Sequence, residues 1–172
     1  MGDVLNTQEL VVGLIATLEE QVKVYRHLLD VVRKEKEILI SAKLDDLNEN
    51  NRSKEAMLIR IRALESQRLK AASEVYVSLG LTGEQPRLLE IARHVRDDLG
   101  EKLRSIQSVL ELLLKRVQEY NRQNESLVQS ALTNITGAMN AIKTTLQEKP
   151  VYQKQGEVEG VTAAGQLVSR EA

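Results

Sequence analysis

The chain has 172 residues, of which 24 are basic and 25 acidic, and its formal net charge is −1. This balance gives no electrostatic reason to expect nucleic acid or an anionic membrane surface as a partner, so we expect any partner to be a protein. The absence of cysteine excludes disulfides, thiolate metal sites and a cysteine nucleophile.

The core is expected to be aliphatic, because the chain has no Phe or Trp and only four Tyr. Such a composition is typical of long helices that pack through Leu, Ile and Val seams. The first residues, MGDVLNTQEL, have neither a basic n-region nor an apolar h-region, and no apolar run reaches 18 residues. We therefore expect a cytoplasmic protein without membrane insertion.

The first helix is predicted over about 7–40. Asn6 followed by Glu9 has the spacing of a capping box, which satisfies the free amide groups of a first turn. A heptad repeat of apolar residues then runs from Val11 to Leu39 and is broken only by Lys36.

The second helix is predicted over about 45–79. Asp45 and Asp46 suit a first turn, where the helix dipole favours carboxylates. The first half of this helix is almost wholly polar, which predicts weak packing there. Gly80 and Pro86 then bound a turn between antiparallel helices, because glycine commonly follows a helix and proline commonly starts one.

The remaining helices are predicted over about 87–98 and 99–146, with the pattern briefly loosened at Gly100. The fold class is therefore all-α: a bundle of long antiparallel helices with coiled-coil character. We assign residues 1–149 to this helical domain and residues 150–172, which have no sustained period, to a flexible tail.

The stretch 126–146 carries one charge, Lys143, whereas 15 of the 39 residues from 87 to 125 are charged. Its apolar residues nevertheless keep a helical period. A helix over 99–146 would be about 70 Å long, against about 50 Å for either of the first two. The end of the last helix is therefore expected to offer an uncovered apolar stripe for a partner; packing inside the bundle is the alternative.

No catalytic, metal or cofactor site is predicted. His27 and His94 lie far apart among charged neighbours, which indicates surface histidines. The acidic residues occur in runs of mixed sign, as on salt-bridged helix faces, and phosphate-loop and HExxH patterns are absent.

Asn124 falls on the heptad seam, where a buried amide commonly fixes the register of packed helices. Contact with a partner is the alternative interpretation, and the sequence leaves both open.

The helical region resembles the FlgN family of flagellar type III export chaperones. The resemblance lies in LLDVVRKEKEILISAKLDDLNENNRSKEAMLIRIRALESQR, the turn VSLGLTGEQP, the segment YNRQNESLVQSAL and the tail VYQKQG. Its more specific features are Asn121 and Asn124 ahead of Leu127, and Tyr152 beyond the last helix. Glu125 departs from the family, which often has a small residue there.

The resemblance implies a cytoplasmic, non-enzymatic chaperone that binds the disordered C-terminal regions of the hook-filament junction proteins FlgK and FlgL through its own last helix. It also implies that Tyr152 docks on the export gate protein FlhA. The alternative is a structural coiled-coil protein that self-associates through the same stripe. The residues expected to bind the substrate protein share the apolar seam of the last helix: Leu113, Val117, Tyr120, Asn121, Asn124, Leu127, Val128, Ala131, Leu132, Ile135, Ala138, Met139 and Ile142.

Overall fold

The computed structural model describes residues 2–83 and 85–147. Within these ranges the chain forms four helices and no strand: α1 (Gly2–Ser41), α2 (Leu44–Ser78), α3 (Leu88–His94) and α4 (Asp97–Gln147). The all-α prediction is therefore confirmed. The predicted boundary at 149/150 and the predicted tail lie outside the described residues.

The chain divides into two compact units, Met1–Val128 and Gln129–Ala172. The first unit contains α1, α2, α3 and the first part of α4. The described residues of the second unit, 129–147, are the last part of α4.

The main apolar core of the first unit takes residues from all four helices. Burying such a side chain fully contributes about 1.5–3 kcal/mol, which makes this cluster the principal source of the unit's stability. Its buried members are Val11, Leu14, Ile15 and Leu18 of α1, Ala72, Val75 and Tyr76 of α2, Ile91 and Ala92 of α3, and Leu103, Ile106 and Leu110 of α4.

The helices α1 and α2 are antiparallel, as the ion pairs between them show. Arg60 of α2 pairs with Glu20, and Lys54, further toward the start of α2, pairs with Glu35 at 2.8 Å. The first half of α2 is thinly packed, as predicted: Asn50 is its one buried residue between 45 and 63.

The helices α1 and α4 are parallel. Lys102 lies 2.8 Å from Glu19, and Asn124 donates a hydrogen bond to the Val32 carbonyl at 2.9 Å, so the contacts advance together along both helices. In the chain, α2 lies between α1 and α4 and runs in the opposite direction. Consecutive long helices are therefore antiparallel, as the sequence predicts.

A polar link between α1 and α2 surrounds Glu65. The buried Gln21 side chain donates to the Glu65 carboxylate at 3.0 Å, and Arg68 donates to it through two nitrogens at 2.8 and 2.6 Å. The Arg68 hydrogen bonds, opposed by burial and assisted by Gln21, hold the pKa of Glu65 below its usual value. This carboxylate is therefore ionised where it joins the two helices.

The turn between α1 and α2 uses an alanine where glycine is the usual residue. Ala42 has a φ of 54°, in the left-handed region. Its N–H donates to the Leu39 carbonyl at 3.4 Å, and the Lys43 N–H donates to the Ile38 carbonyl at 3.3 Å. This is the Schellman pattern of helix ends, with the side chain of Ala42 adding a steric cost of about 1 kcal/mol.

The end of α2 has the same pattern with the expected residue. Gly80 has a φ of 67°, its N–H donates to the Val77 carbonyl at 3.0 Å, and the Leu81 N–H donates to the Tyr76 carbonyl at 3.1 Å. The prediction that Gly80 follows the end of the second helix is confirmed, and its left-handed conformation is the one that glycine adopts most easily.

Two helix boundaries differ from the sequence prediction. The first helix begins at Gly2 instead of about residue 7, because an interior Asn6 lowers helix propensity by only a few tenths of a kcal/mol and does not stop it. The break between the third and fourth helices falls before Asp97 instead of at 98/99, because Val95 is extended (φ −100°, ψ 170°) and Asp97 and Asp98 form the new first turn.

The sequence pattern indicated that the helix is loosened at Gly100, but the structure shows no such loosening of α4. Gly100 lies inside the helix and is buried. A β-carbon at this position would lie 2.4 Å from the Ala92 carbonyl oxygen, so glycine permits the close approach of α3 and α4.

Replacing Ala42 with glycine is expected to raise the free energy of unfolding by about 1 kcal/mol, because the steric cost of the left-handed conformation is removed. Urea unfolding followed by circular dichroism would measure it. The control is Ala56→Gly in the exposed interior of α2, which should cost about 1 kcal/mol. Equal destabilisation by both changes would contradict the strain assigned to the turn.

Candidate functional site

The thirteen residues predicted to bind a substrate protein fall into two groups along α4. From Leu113 to Leu127 they are buried or half-buried, and from Val128 onward every described residue is exposed. The division matters because the second group is exposed at every position, whereas the first group offers a partner at most the exposed edges of Tyr120, Asn121 and Leu127.

Leu113 and Val117 belong to the interior of the first unit. Each is 7% exposed, and they form a second apolar cluster with Leu28, Leu29 and Val32 of α1. A heptad seam does not reveal which surface will cover it, and here α1 covers it. These two residues therefore stabilise the bundle, and we do not retain them as direct contacts.

Asn124 is the centre of a polar layer that joins three helices. Its amide is 4% exposed, and the nitrogen donates to the Val32 carbonyl at 2.9 Å and to the Glu35 carboxylate at 3.0 Å. The same Glu35 oxygen accepts a hydrogen bond from Lys54 of α2 at 2.8 Å. These contacts favour the register interpretation of Asn124, because both donated bonds lie inside the bundle.

A second asparagine supports the layer from α2. Asn50 is 3% exposed and donates to the Val31 carbonyl at 3.2 Å. Adjacent carbonyls of α1, those of Val31 and Val32, thus accept amide hydrogen bonds from α2 and α4 respectively. Such bonds contribute about 0.5–1.5 kcal/mol each and fix the relative positions of the helices.

Tyr120 forms the edge of this layer and accounts for the lysine that interrupts the heptad of α1. The Arg33 guanidinium lies 5.4 Å and the Lys36 ammonium 5.7 Å from the centre of the Tyr120 ring. Lys36 also donates to the Gln123 side chain at 2.7 Å. Tyr120 is therefore half-buried beneath two cations, with part of its ring available at the surface.

Asn121 and Leu127 are also half-buried. The Asn121 side-chain oxygen is buried and accepts no hydrogen bond from the residues that the structure describes. Leu127 lines a cleft between α1 and α4 together with Lys36 and Arg122. Both residues lie where the covered part of α4 gives way to the exposed part.

The exposed part of α4 presents a continuous apolar face. At 100° per residue, its members fall within an arc of about 120° on one side of the helix. Their large side chains are 42% to 66% exposed. The face, hereafter the exposed apolar face, consists of Val128, Ala131, Leu132, Ile135, Ala138, Met139, Ile142 and Leu146.

Leu146 is a member that the predicted set omitted. It is 62% exposed and lies four residues after Ile142, and the helical period that predicts an apolar stripe over 126–146 already includes it.

The exposed apolar face continues the seam that is covered by α1 earlier in α4. Asn124 is paired with Val32, and α1 ends nine residues after Val32 whereas α4 continues for 23 residues after Asn124. The excess of 14 residues corresponds to about 21 Å of helix. The count places the uncovered part at 134–147, whereas the fully exposed stretch begins six positions earlier, at Val128.

Threonine hydroxyls on the same stretch bond to their own helix. Thr133, Thr136, Thr144 and Thr145 each donate to the carbonyl four residues earlier, at 2.9 to 3.0 Å. Lys143 is the one charge in the stretch 126–146, so ionic contact with a partner is limited to that residue there. The arrangement is suited to apolar association.

No arrangement for catalysis or metal binding emerges from the described residues. Across 2–83 and 85–147, no group of three histidine or acidic side chains is placed to hold a metal ion. His27 and His94 are exposed on different helices. In the same ranges, no helix has the length and apolar character needed to cross a membrane.

Four helices, the longest of which ends in an exposed apolar face, define an all-α protein of the helical-bundle class. The particular family is shown by sequence: the family model described as FlgN protein matches residues 10–160, and the chain belongs to the FlgN family. Neither a curated protein nor a solved structure shows a significant match. Membership of this family indicates a flagellar export chaperone, and the family is not enzymatic.

Tyr152, the residue predicted to dock on the export gate, lies within the family match but outside the described residues.

Replacing Asn124 with aspartate is expected to lower the free energy of unfolding by about 3 kcal/mol, because a second carboxylate would lie buried beside Glu35 and the bond to Val32 would be lost. Chemical denaturation at pH 7 would measure it. At pH 4 the cost should shrink, because protonation of one carboxyl restores a hydrogen-bond donor. The matched control, Asn134→Asp on the exposed part of α4, should change stability by less than about 0.5 kcal/mol.

Proposed function

We propose that this protein is a cytoplasmic export chaperone that binds the disordered C-terminal regions of the hook-filament junction proteins FlgK and FlgL. The proposal depends chiefly on one observation: a member of the FlgN family carries an exposed apolar face over 128–146 on its longest helix. Exposed faces of this kind mark protein-binding surfaces, and a chaperone of assembly subunits needs one to cover segments that would otherwise associate too early.

The binding mode we propose is a helix–helix contact. The exposed apolar face has the spacing that an amphipathic helix covers with its own apolar side, and a disordered segment becomes ordered as it docks. Val128, Ala131, Leu132, Ile135, Ala138, Met139, Ile142 and Leu146 would supply the contact. Tyr120, Asn121 and Leu127 would add to it at their exposed edges, whereas Leu113, Val117 and Asn124 would hold α4 in the bundle.

The energetics favour an affinity that allows release. Burying apolar surface gains about 25 cal/mol per Å² on each side. Ordering a disordered segment offsets about 2–5 kcal/mol or more of that gain. A chaperone that hands its substrate to an export gate requires such a balance, because a complex without the ordering cost would dissociate too slowly.

Delivery is the second half of the proposed function. We assign it to Tyr152, which would dock on the export gate protein FlhA, as the family resemblance implies. Separate residues would then hold the substrate and contact the gate, so that both partners can be bound at once.

Replacing Ile135 with arginine is expected to weaken binding of the FlgK C-terminal region at least 30-fold, because a charge would be buried at the centre of the contact. Calorimetry would measure the affinity, and circular dichroism should show nearly unchanged helix content. The matched control is Ile59→Arg on α2, since Ile59 is 60% and Ile135 58% exposed. An affinity equal to that of the unmodified chain in the Ile135 variant would refute the assigned face.

Replacing Tyr152 with alanine is expected to leave FlgK affinity within twofold while weakening FlhA binding and reducing swimming motility, because the substitution lies outside the substrate contact. Pull-down with the cytoplasmic part of FlhA and a soft-agar assay would measure the two effects. The Tyr152→Phe variant, which lacks only the hydroxyl group, tests whether the aromatic ring alone is sufficient for FlhA binding. Normal gate binding and motility in the alanine variant would remove the docking role.

Self-association through the exposed apolar face is the rival function, since the same surface could bind a second copy. Sedimentation of the chain alone and with the FlgK region distinguishes the two. A one-to-one complex supports the chaperone, and a dimer that excludes the FlgK region supports the rival.

A further inference from the structure

Within the second unit, the large side chains of the exposed apolar face form a heptad repeat. They follow one another in steps of three, four, three and four residues, which is the spacing by which coiled-coil helices pack. Their side chains are 54% to 66% exposed: Leu132, Ile135, Met139, Ile142 and Leu146. The second unit therefore presents a surface with the spacing of a helix-packing seam.

A repeat of the same spacing in the first unit is covered by a helix. Its five members are all buried: Leu103, Ile106, Leu110, Leu113 and Val117. The last two form one apolar cluster with Leu28 and Val32 of α1. Because a helix covers this repeat, we expect the cover of the exposed repeat to be a helix as well.

Two alanines widen the exposed repeat along one edge. In coiled coils, a side chain of one helix enters a hole between four residues of the other. The hole at the centre of the exposed repeat is bounded by Ile135, Ala138, Met139 and Ile142. One heptad earlier, Ala131 takes the place of Ala138 on the rim of an equivalent hole. Because an alanine side chain ends at its β-carbon, both holes are open on that edge.

The holes that alternate with these two are narrower. Their rims include Thr136 and Lys143, whose side chains are larger than that of alanine. The exposed apolar face therefore offers its widest holes at an interval of seven residues, which is about 10.5 Å along a helix.

We infer that the segment bound by the exposed apolar face is a helix with a heptad repeat, and that two of its large apolar side chains, seven residues apart, enter the holes at Ala131 and Ala138. This inference rests on the proposed function and adds the shape of the partner. Large residues that face small ones fill an interface without voids. An equally apolar segment without this interval fills one hole at a time, so the two alanines select among apolar segments.

The experiment fills both holes in the full-length chain. In the test variant, Ala131→Leu and Ala138→Leu add apolar surface to the face. In the matched control, Thr133→Leu and Asn140→Leu add two leucines at the same interval, at exposed positions outside the arc of the face. Leucine is a strong helix former, so circular dichroism should show nearly unchanged helix content in both variants. The probe is the purified C-terminal region of FlgK, and calorimetry measures its affinity.

We expect the test variant to bind the FlgK region about tenfold more weakly than the unmodified chain, because an overfilled interface is strained. The control should stay within twofold. A face that acted only through its apolar area would instead bind more tightly after the test substitutions, since leucine adds apolar surface. Equal or tighter binding by the test variant, or equal weakening of both variants, would refute the inference while the apolar binding stands.

A second measurement uses FlgK regions in which two large apolar residues seven positions apart are replaced by alanine. One such region is expected to bind the test variant about fivefold more tightly than it binds the unmodified chain, because the added leucines replace the side chains that were removed. If no pair at this interval restores binding, the inference is refuted.

Two further outcomes would overturn the inference. If sedimentation shows a dimer of the unmodified chain that the test variant loses, the holes are occupied by a second copy. If the unmodified chain does not bind the native FlgK region, the proposed function itself falls, and the inference with it.

Discussion

The structure depends on the polar layer in which Glu35 of α1 accepts hydrogen bonds from both Lys54 of α2 and Asn124 of α4. Leu seams alone tolerate slippage by a heptad, because one apolar layer resembles the next. A buried amide and a partly buried carboxylate do not tolerate such slippage, because a shift of one helix would leave them without hydrogen-bond partners. The layer therefore fixes which residues of α4 lie against α1. It thereby also fixes which residues of α4 are not covered by α1.

This constraint explains why the covered seam and the exposed apolar face lie on the same side of α4. Up to Asn124 the seam of α4 is covered by α1, and from Val128 the same side of the helix is exposed. The sequence predicted the seam over its whole length, since periodicity is local. It could not separate Leu113 and Val117, which are covered, from Ile135, which is exposed, because covering depends on where a distant helix ends.

Other features show the same limit of sequence reasoning. The helices and the Gly80 turn were predictable, because apolar period and glycine are strong local signals. The left-handed Ala42 was not, since alanine carries no turn signal, although hydrogen bonds from the Ala42 and Lys43 N–H groups close the turn. Lys36 interrupted the predicted heptad for a reason that the structure supplies: it lies over Tyr120 and donates to Gln123.

The composition of the exposed apolar face has a consequence for recognition. Every side chain within its arc of about 120° is apolar, so this surface presents few directional groups to a visiting chain. A surface of this kind discriminates by the spacing of apolar side chains and imposes little geometric demand on individual polar atoms. It can accept sequences that share a pattern of apolar residues without sharing the residues themselves.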